Sequence, residues 1–227
     1  LLYRPNRVGL QRLFEHGADP NAIWDEWDTR LKWEWSFIHL ATELSPKIGV
    51  GYLQQALDMG GDPNLMVSHY YESPIMITME KRYLPAFAVL YTAGAKLNYP
   101  VNEDSSPLMR SINVGNFELC LFLLEHGADY MQGVPYDWSI KYAKTNDISG
   151  PVSATWSSLL HVMLYNETAL ENMWFWRCID YLEKKGMDFA IPAETELLRP
   201  TVLDTTPTAY EIEIERLKSS EGELVVL

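Results

Sequence analysis

Five histidines, two cysteines and a few adjacent carboxylates are the residues of this chain that could do chemistry. Ser36 stands three residues before His39, and Ser158 three before His161, a spacing that could set a hydroxyl nucleophile beside a base. A serine that caps a helix, followed by a histidine on the first turn, explains the same spacing more economically. His16 and His126 each precede a glycine that ends an apolar run, so they occupy one recurring structural position. That leaves His69 as the histidine placed to be a contact residue. Glu103-Asp104 is expected on an exposed turn, where nothing desolvates the pair to raise a pKa for acid catalysis. Cys120 and Cys178 lie between apolar residues and read as small buried hydrophobes, although Arg177 adjoins Cys178. No HExxH, CxxC pair or P-loop lysine motif occurs, so zinc hydrolysis and nucleotide binding find no support. The expectation is a protein that is not an enzyme, with no catalytic residue, cofactor or metal.

The elements that position these residues are bounded first by composition. The chain has 227 residues, with 31 acidic against 18 basic side chains and a formal charge of −13. Such a charge argues against nucleic acid or anionic lipid as a partner and favours a basic protein surface. A hydrophobic content of 47% is enough for a real core. No apolar run approaches the ~20 residues of a membrane helix, so no integral membrane segment is expected in the visible chain. The sequence opens on Leu1-Leu2-Tyr3-Arg4 rather than Met, and a segment upstream is expected to have been removed. That expectation leaves both the periplasm, after signal removal, and the cytoplasm open.

Internal repetition organises the chain. His16-Gly17-Ala18-Asp19-Pro20-Asn21 returns as Met59-Gly60-Gly61-Asp62-Pro63-Asn64, as Ala93-Gly94-Ala95-Lys96-Leu97-Asn98 and as His126-Gly127-Ala128-Asp129-Tyr130-Met131. Lys185-Gly186-Met187-Asp188-Phe189 is a degraded copy. The glycines are spaced by 43, 34, 33 and 59 residues, and each closes an apolar helical run. A second phrase, Ser73-Pro74-Ile75-Met76 and Ser106-Pro107-Leu108-Met109, lies 21 residues before Gly94 and Gly127 and suits a helix start. Looser copies begin at Ser36, Ser158 and Thr206. A helix is also expected around Tyr136–Ala143, and an extended loop over Tyr165–Trp174.

These phrases resemble the ankyrin repeat. Ser106-Pro107-Leu108, Gly115-Asn116 and Leu123-Leu124-Glu125-His126-Gly127-Ala128-Asp129 stand where that family's pattern has TPL, GH and LLEHGAD. The resemblance runs from about residue 8 to 218. It implies an all-α solenoid of about five stacked helix-turn-helix units with hairpin-like fingers, forming a single domain over 1–227. The expected units are a partial one over 1–22, then 23–64, 65–98, 99–131, an irregular 132–189 and a C-terminal cap over 190–227. Each helix pair is too small to bury its own apolar stripe, which is why neighbours must stack.

In ankyrin-like stacks, partners meet the finger tips and the face made by the first helices. Carried over by position, the third finger and its helix offer Asn102, Glu103, Arg110 and Asn113. The second offers His69, Tyr70, Glu72, Ile77 and Glu80. The first finger concentrates Trp24, Trp27, Trp33 and Trp35, half of the eight tryptophans, among acids. Indoles bury large area with few rotatable bonds, and acids around them would steer a basic surface. A second aromatic cluster, Met173-Trp174-Phe175-Trp176, reads as core packing. The function expected is a protein–protein interaction module, in its most specific form a bacterial immunity protein that inhibits a secreted toxin. The alternative is an effector or adaptor that recruits a cellular target protein.

Overall fold

The computed structural model describes residues 7–25, 34–67, 73–98 and 106–221. The described residues are mostly helical, with 60% of them in helices. Two compact units divide it, Leu1–Lys96 with Ile212–Leu227, and Leu97–Glu211.

In the first unit, α1 (Arg7–Glu15) is followed by two three-residue strands, β1 (Ile23–Asp25) and β2 (Glu34–Ser36). They form an antiparallel ladder in which Trp24 faces Trp35 in register. Helices α2 (Phe37–Ile48) and α3 (Gly51–Asp58) then form one antiparallel pair, α4 (Pro74–Lys81) and α5 (Leu84–Thr92) the next. Helix α2 packs on α4, while α3 packs on α1 and α5, so first helices lie beside first helices and second beside second. Ser36 precedes α2 but caps no backbone amide; its hydroxyl instead bonds the ring of His39 at 2.8 Å, and both are buried.

The second unit begins with α6 (Pro107–Asn113) and α7 (Phe117–Glu125). Ser106 accepts the Met109 amide as α6 starts, the helix cap that its sequence phrase calls for. Helix α8 (Asp137–Thr145) follows, then α9 (Ala154–Tyr165), the one-turn α10 (Glu167–Leu170) and α11 (Met173–Lys184). The segment expected as an extended loop over Tyr165–Trp174 is therefore largely helical. Asn166 and Asn172 are the reason: each accepts an amide at the start of the following helix, at 3.2 and 2.9 Å. Helix α9 packs on α6 and α11 on α7. Trp156 and Trp176 are fully buried, and each indole N–H is satisfied, by the carbonyls of Asp188 and Leu170 at 2.8 Å. The short α12 (Ala193–Glu196) and the start of α13 (Ala209–Glu221) close this unit. Thr208 and Glu211 exchange bonds as a capping box, and Glu118 of α7 accepts the Ala209 amide at 2.7 Å.

The sequence phrase around each repeated glycine is one structure five times over. Gly17, Gly60, Gly94, Gly127 and Gly186 have φ between 87° and 91°, a left-handed conformation that a Cβ would strain. The amide one residue later reaches back to a carbonyl of the helix: Ala18 to Leu13, Gly61 to Ala56, Ala95 to Leu90, Ala128 to Leu123, Met187 to Leu182, all at 2.8–3.0 Å. This is the Schellman closure, which satisfies carbonyls the helix leaves orphaned. Asparagines add cross-repeat rungs. Asn21 donates to the Gly60 carbonyl and accepts the Asp62 amide. Asn64 repeats this with Gly94 and Lys96, and Asn98 with Gly127 and Asp129, at 2.7–3.1 Å.

Candidate functional site

Of the residues singled out as partner contacts, Trp27, Trp33, His69, Tyr70, Glu72, Asn102 and Glu103 lie outside the described residues. The backbones of Trp24 and Trp35 are brought together by the β1–β2 ladder, and Glu80 lies on the last turn of α4; the side chains of these three fall outside the description. Ile77 is a correction. It is only 4% exposed, because α4 is enclosed by α2 and α5 and buries Ile75, Met76, Thr78 and Met79 as well. Arg110 is half-buried on α6, and Asn113 is exposed at its end.

Asn113 opens onto a cleft of about 390 Å3 in the second unit. Its floor is apolar, from Ile112, Phe117 and Val162, with Gly115 at the α6–α7 turn. Tyr136 and Trp138, at the start of α8, form one wall and are 39% and 37% exposed. Ser158 and His161 of α9, with Asn166 beyond them, form the other. The His161 ring lies edge-on to Trp138, at 5.8 Å between centroids, and 4.9 Å from Tyr165, itself 71% exposed. No aspartate, glutamate, lysine or arginine lines the cleft. The acids Asp137 and Glu167, both exposed, are the chain neighbours of Trp138 and Asn166.

The placement of His161 departs from the expected repeat register. Helix α9 starts at Ser153, which accepts the Trp156 amide and donates to the Tyr130 carbonyl at 2.6 Å. Trp156, not His161, thus takes the place that His39 takes after Ser36. His161 falls more than a turn later, on the outward side of α9, where it is exposed. Ser153-Ala154 lacks the proline of the better copies, so Ser158-Leu159-Leu160-His161 drew the alignment. His16 and His126 share one arrangement: their Nδ1 atoms meet the carbonyls of Arg12 and Phe122 at 2.7 and 2.8 Å. The buried Ser36–His39 pair has nucleophile–base geometry but no solvent path for a substrate, both residues being at most 1% exposed.

Cys120 and Cys178 are fully buried free thiols. Burial, and then a hydrogen bond with Cys120, push the Cys178 thiol well above its ordinary range, and Cys178 donates to the Phe117 carbonyl. A thiol so held is a packing residue, not a nucleophile. Among the described residues no cluster of three or more His, Cys, Asp or Glu is arranged to hold a metal ion, and no helix is long and apolar enough to cross a membrane. The Trp174–Trp176 cluster lies at the start of α11, with Phe175 and Trp176 in the core.

Tyr136, Trp138 and Tyr165 are surface aromatics that the finger argument did not reach. The legible signal was His161 and Tyr165 four residues apart on one helix face. Compared with protein-family models and with curated proteins, the chain matches none.

Proposed function

We propose that this chain is an ankyrin-type repeat protein whose task is to bind another protein, and that in its most specific form it is an immunity protein that holds a toxin inactive. One observation carries the repeat reading: five glycine closures of the same geometry, three of them tied to the preceding loop by an asparagine rung. A lattice that repeats its backbone this closely is a scaffold for a broad surface rather than a frame for one catalytic constellation. The exposed Tyr136, Trp138, His161 and Tyr165, and the paired Trp24 and Trp35 positions, supply the residue types that anchor protein interfaces. The charge of −13 suits a basic partner surface and a fast, salt-sensitive encounter.

The test is co-expression with the product of the adjacent gene, purification of the complex, and titration of the chain into that partner's activity assay. Stoichiometric inhibition is expected. Undiminished partner activity at saturating chain would reject the immunity reading, and a partner bound but uninhibited would return the protein to the adaptor class.

A further inference from the structure

We infer that the cleft between α8 and α9 receives an arginine side chain from a basic loop of the partner protein. The inference rests on the protein-binding reading above and names the chemistry of one contact within it. Three features select this occupant. First, Tyr136 and Trp138 present partly exposed rings at the cleft mouth, and a guanidinium stacks on such faces. Second, acceptors wait inside. Ser158 is only 7% exposed and lines the cleft. The Asn113 amide, exposed at the end of α6, supplies a carbonyl oxygen. A serine hydroxyl facing a cleft has acceptor lone pairs to offer a donor from outside.

Third, the cleft lining holds no lysine or arginine to repel a cation. No aspartate or glutamate lines it either, and the exposed Asp137 and Glu167 are the chain neighbours of Trp138 and Asn166. Lys141, one turn further along α8, is the nearest base in sequence on that wall. An anionic occupant would find no lysine or arginine in the lining. Lysine would bring a strongly hydrated point charge, whereas the planar guanidinium both stacks and spreads its donors. The volume is that of a site for one long side chain with its flanking backbone.

The probe is the blocked tripeptide acetyl-Gly-Arg-Gly-amide, titrated into the full chain while the indole N–H resonance of Trp138 is followed by NMR. Saturable displacement of that resonance is expected, with the citrulline analogue, its uncharged isostere, bound about tenfold more weakly. The lysine analogue should also be weaker. Trp138→Ala should abolish saturable binding. The Asp137→Asn, Glu167→Gln double variant changes only exposed residues and should weaken binding two- to fivefold and flatten its salt dependence. Equal affinity for arginine and citrulline would overturn the inference in favour of a neutral segment, and so would an unmoved Trp138 resonance at tens of millimolar peptide. Because the readout is the cleft alone, tripeptide binding without inhibition of the partner would support this contact while rejecting the immunity reading. Inhibition without tripeptide binding would do the reverse.

Discussion

Replacing Gly127 by alanine isolates the physical reason for the repeated glycine. At φ 87° the residue is left-handed, yet a Cβ built there meets nothing within 4 Å. The cost is therefore conformational, not steric. Left-handed backbone strains an L-residue by about 1–2 kcal/mol, while alanine restricts the unfolded chain and returns about 0.4–1 kcal/mol. The net destabilisation is about 1 kcal/mol, which for a chain of this size lowers the melting temperature by about 2–4 °C. Gly127→Asn should cost less, since asparagine tolerates this region. Gly60→Ala, Gly94→Ala and Gly186→Ala should match Gly127→Ala, because each has the same φ and the same empty surroundings. Gly61→Ala, one residue past a cap, should cost clearly more: its Cβ would lie 2.6 Å from Ile38 Cδ1 and 2.7 Å from the Ala56 carbonyl oxygen. Urea unfolding followed by far-UV circular dichroism, with unchanged slope, reads each value. Wild-type stability in Gly127→Ala, or a Gly61→Ala cost no larger than that of the caps, would refute the reasoning.

Asn98→Ala removes both bonds of one rung, to Gly127 and Asp129, and should cost about 1–2 kcal/mol given the exposure of the site, read in the same urea assay. Trp176→Ala empties a fully buried indole site, strips the Leu170 carbonyl of its donor and removes the ring under Arg199; about 3–5 kcal/mol is expected in urea unfolding. Glu183 is bonded to Arg199 at 2.9 Å, yet desolvation outweighs that guanidinium and holds its pKa above the ordinary value. A carboxyl with a raised folded-state pKa contributes stability that is present below its unfolded pKa and lost as pH rises through the folded one. Melting temperature measured against pH should therefore decline less steeply above the ordinary carboxylate range in Glu183→Gln than in wild type.

The parts of the fold legible in the sequence are those where backbone chirality leaves one residue type. A left-handed closure calls for glycine, so Gly17, Gly60, Gly94, Gly127 and Gly186 marked five helix ends, the last despite its degraded surroundings. Helix starts were less legible because several residues can make them. Ser106 caps as expected; Ser73 is buried with no partner for its hydroxyl among the described residues; Ser36 turns to His39. In α9 the cap moved to Ser153, and the register moved with it. Ile77 was misjudged because position along a helix does not reveal what encloses it: α4 is packed on both sides, and a residue that is variable in the repeat pattern became core.

The cleft was hidden for a related reason. Its walls come from places where the period lengthens: Tyr136 and Trp138 stand at the start of α8, and Asn166 caps the one-turn α10. Its floor combines Ile112 and Phe117 of the regular pair α6 and α7 with Val162 of α9. The stretch from Gly127 to Gly186 spans 59 residues, yet it closes with the same φ and the same return bond at both ends. Additional helices inserted between two unaltered closures need not disturb the apolar contacts of α11 with α7 or of α9 with α6, so the insertion can shape a surface while the core keeps its pattern. Periodicity reports the core. Where the period is broken, the exposed rings of Tyr136 and Trp138 and the Ser158 side chain are gathered at one cleft rather than dispersed into the packing.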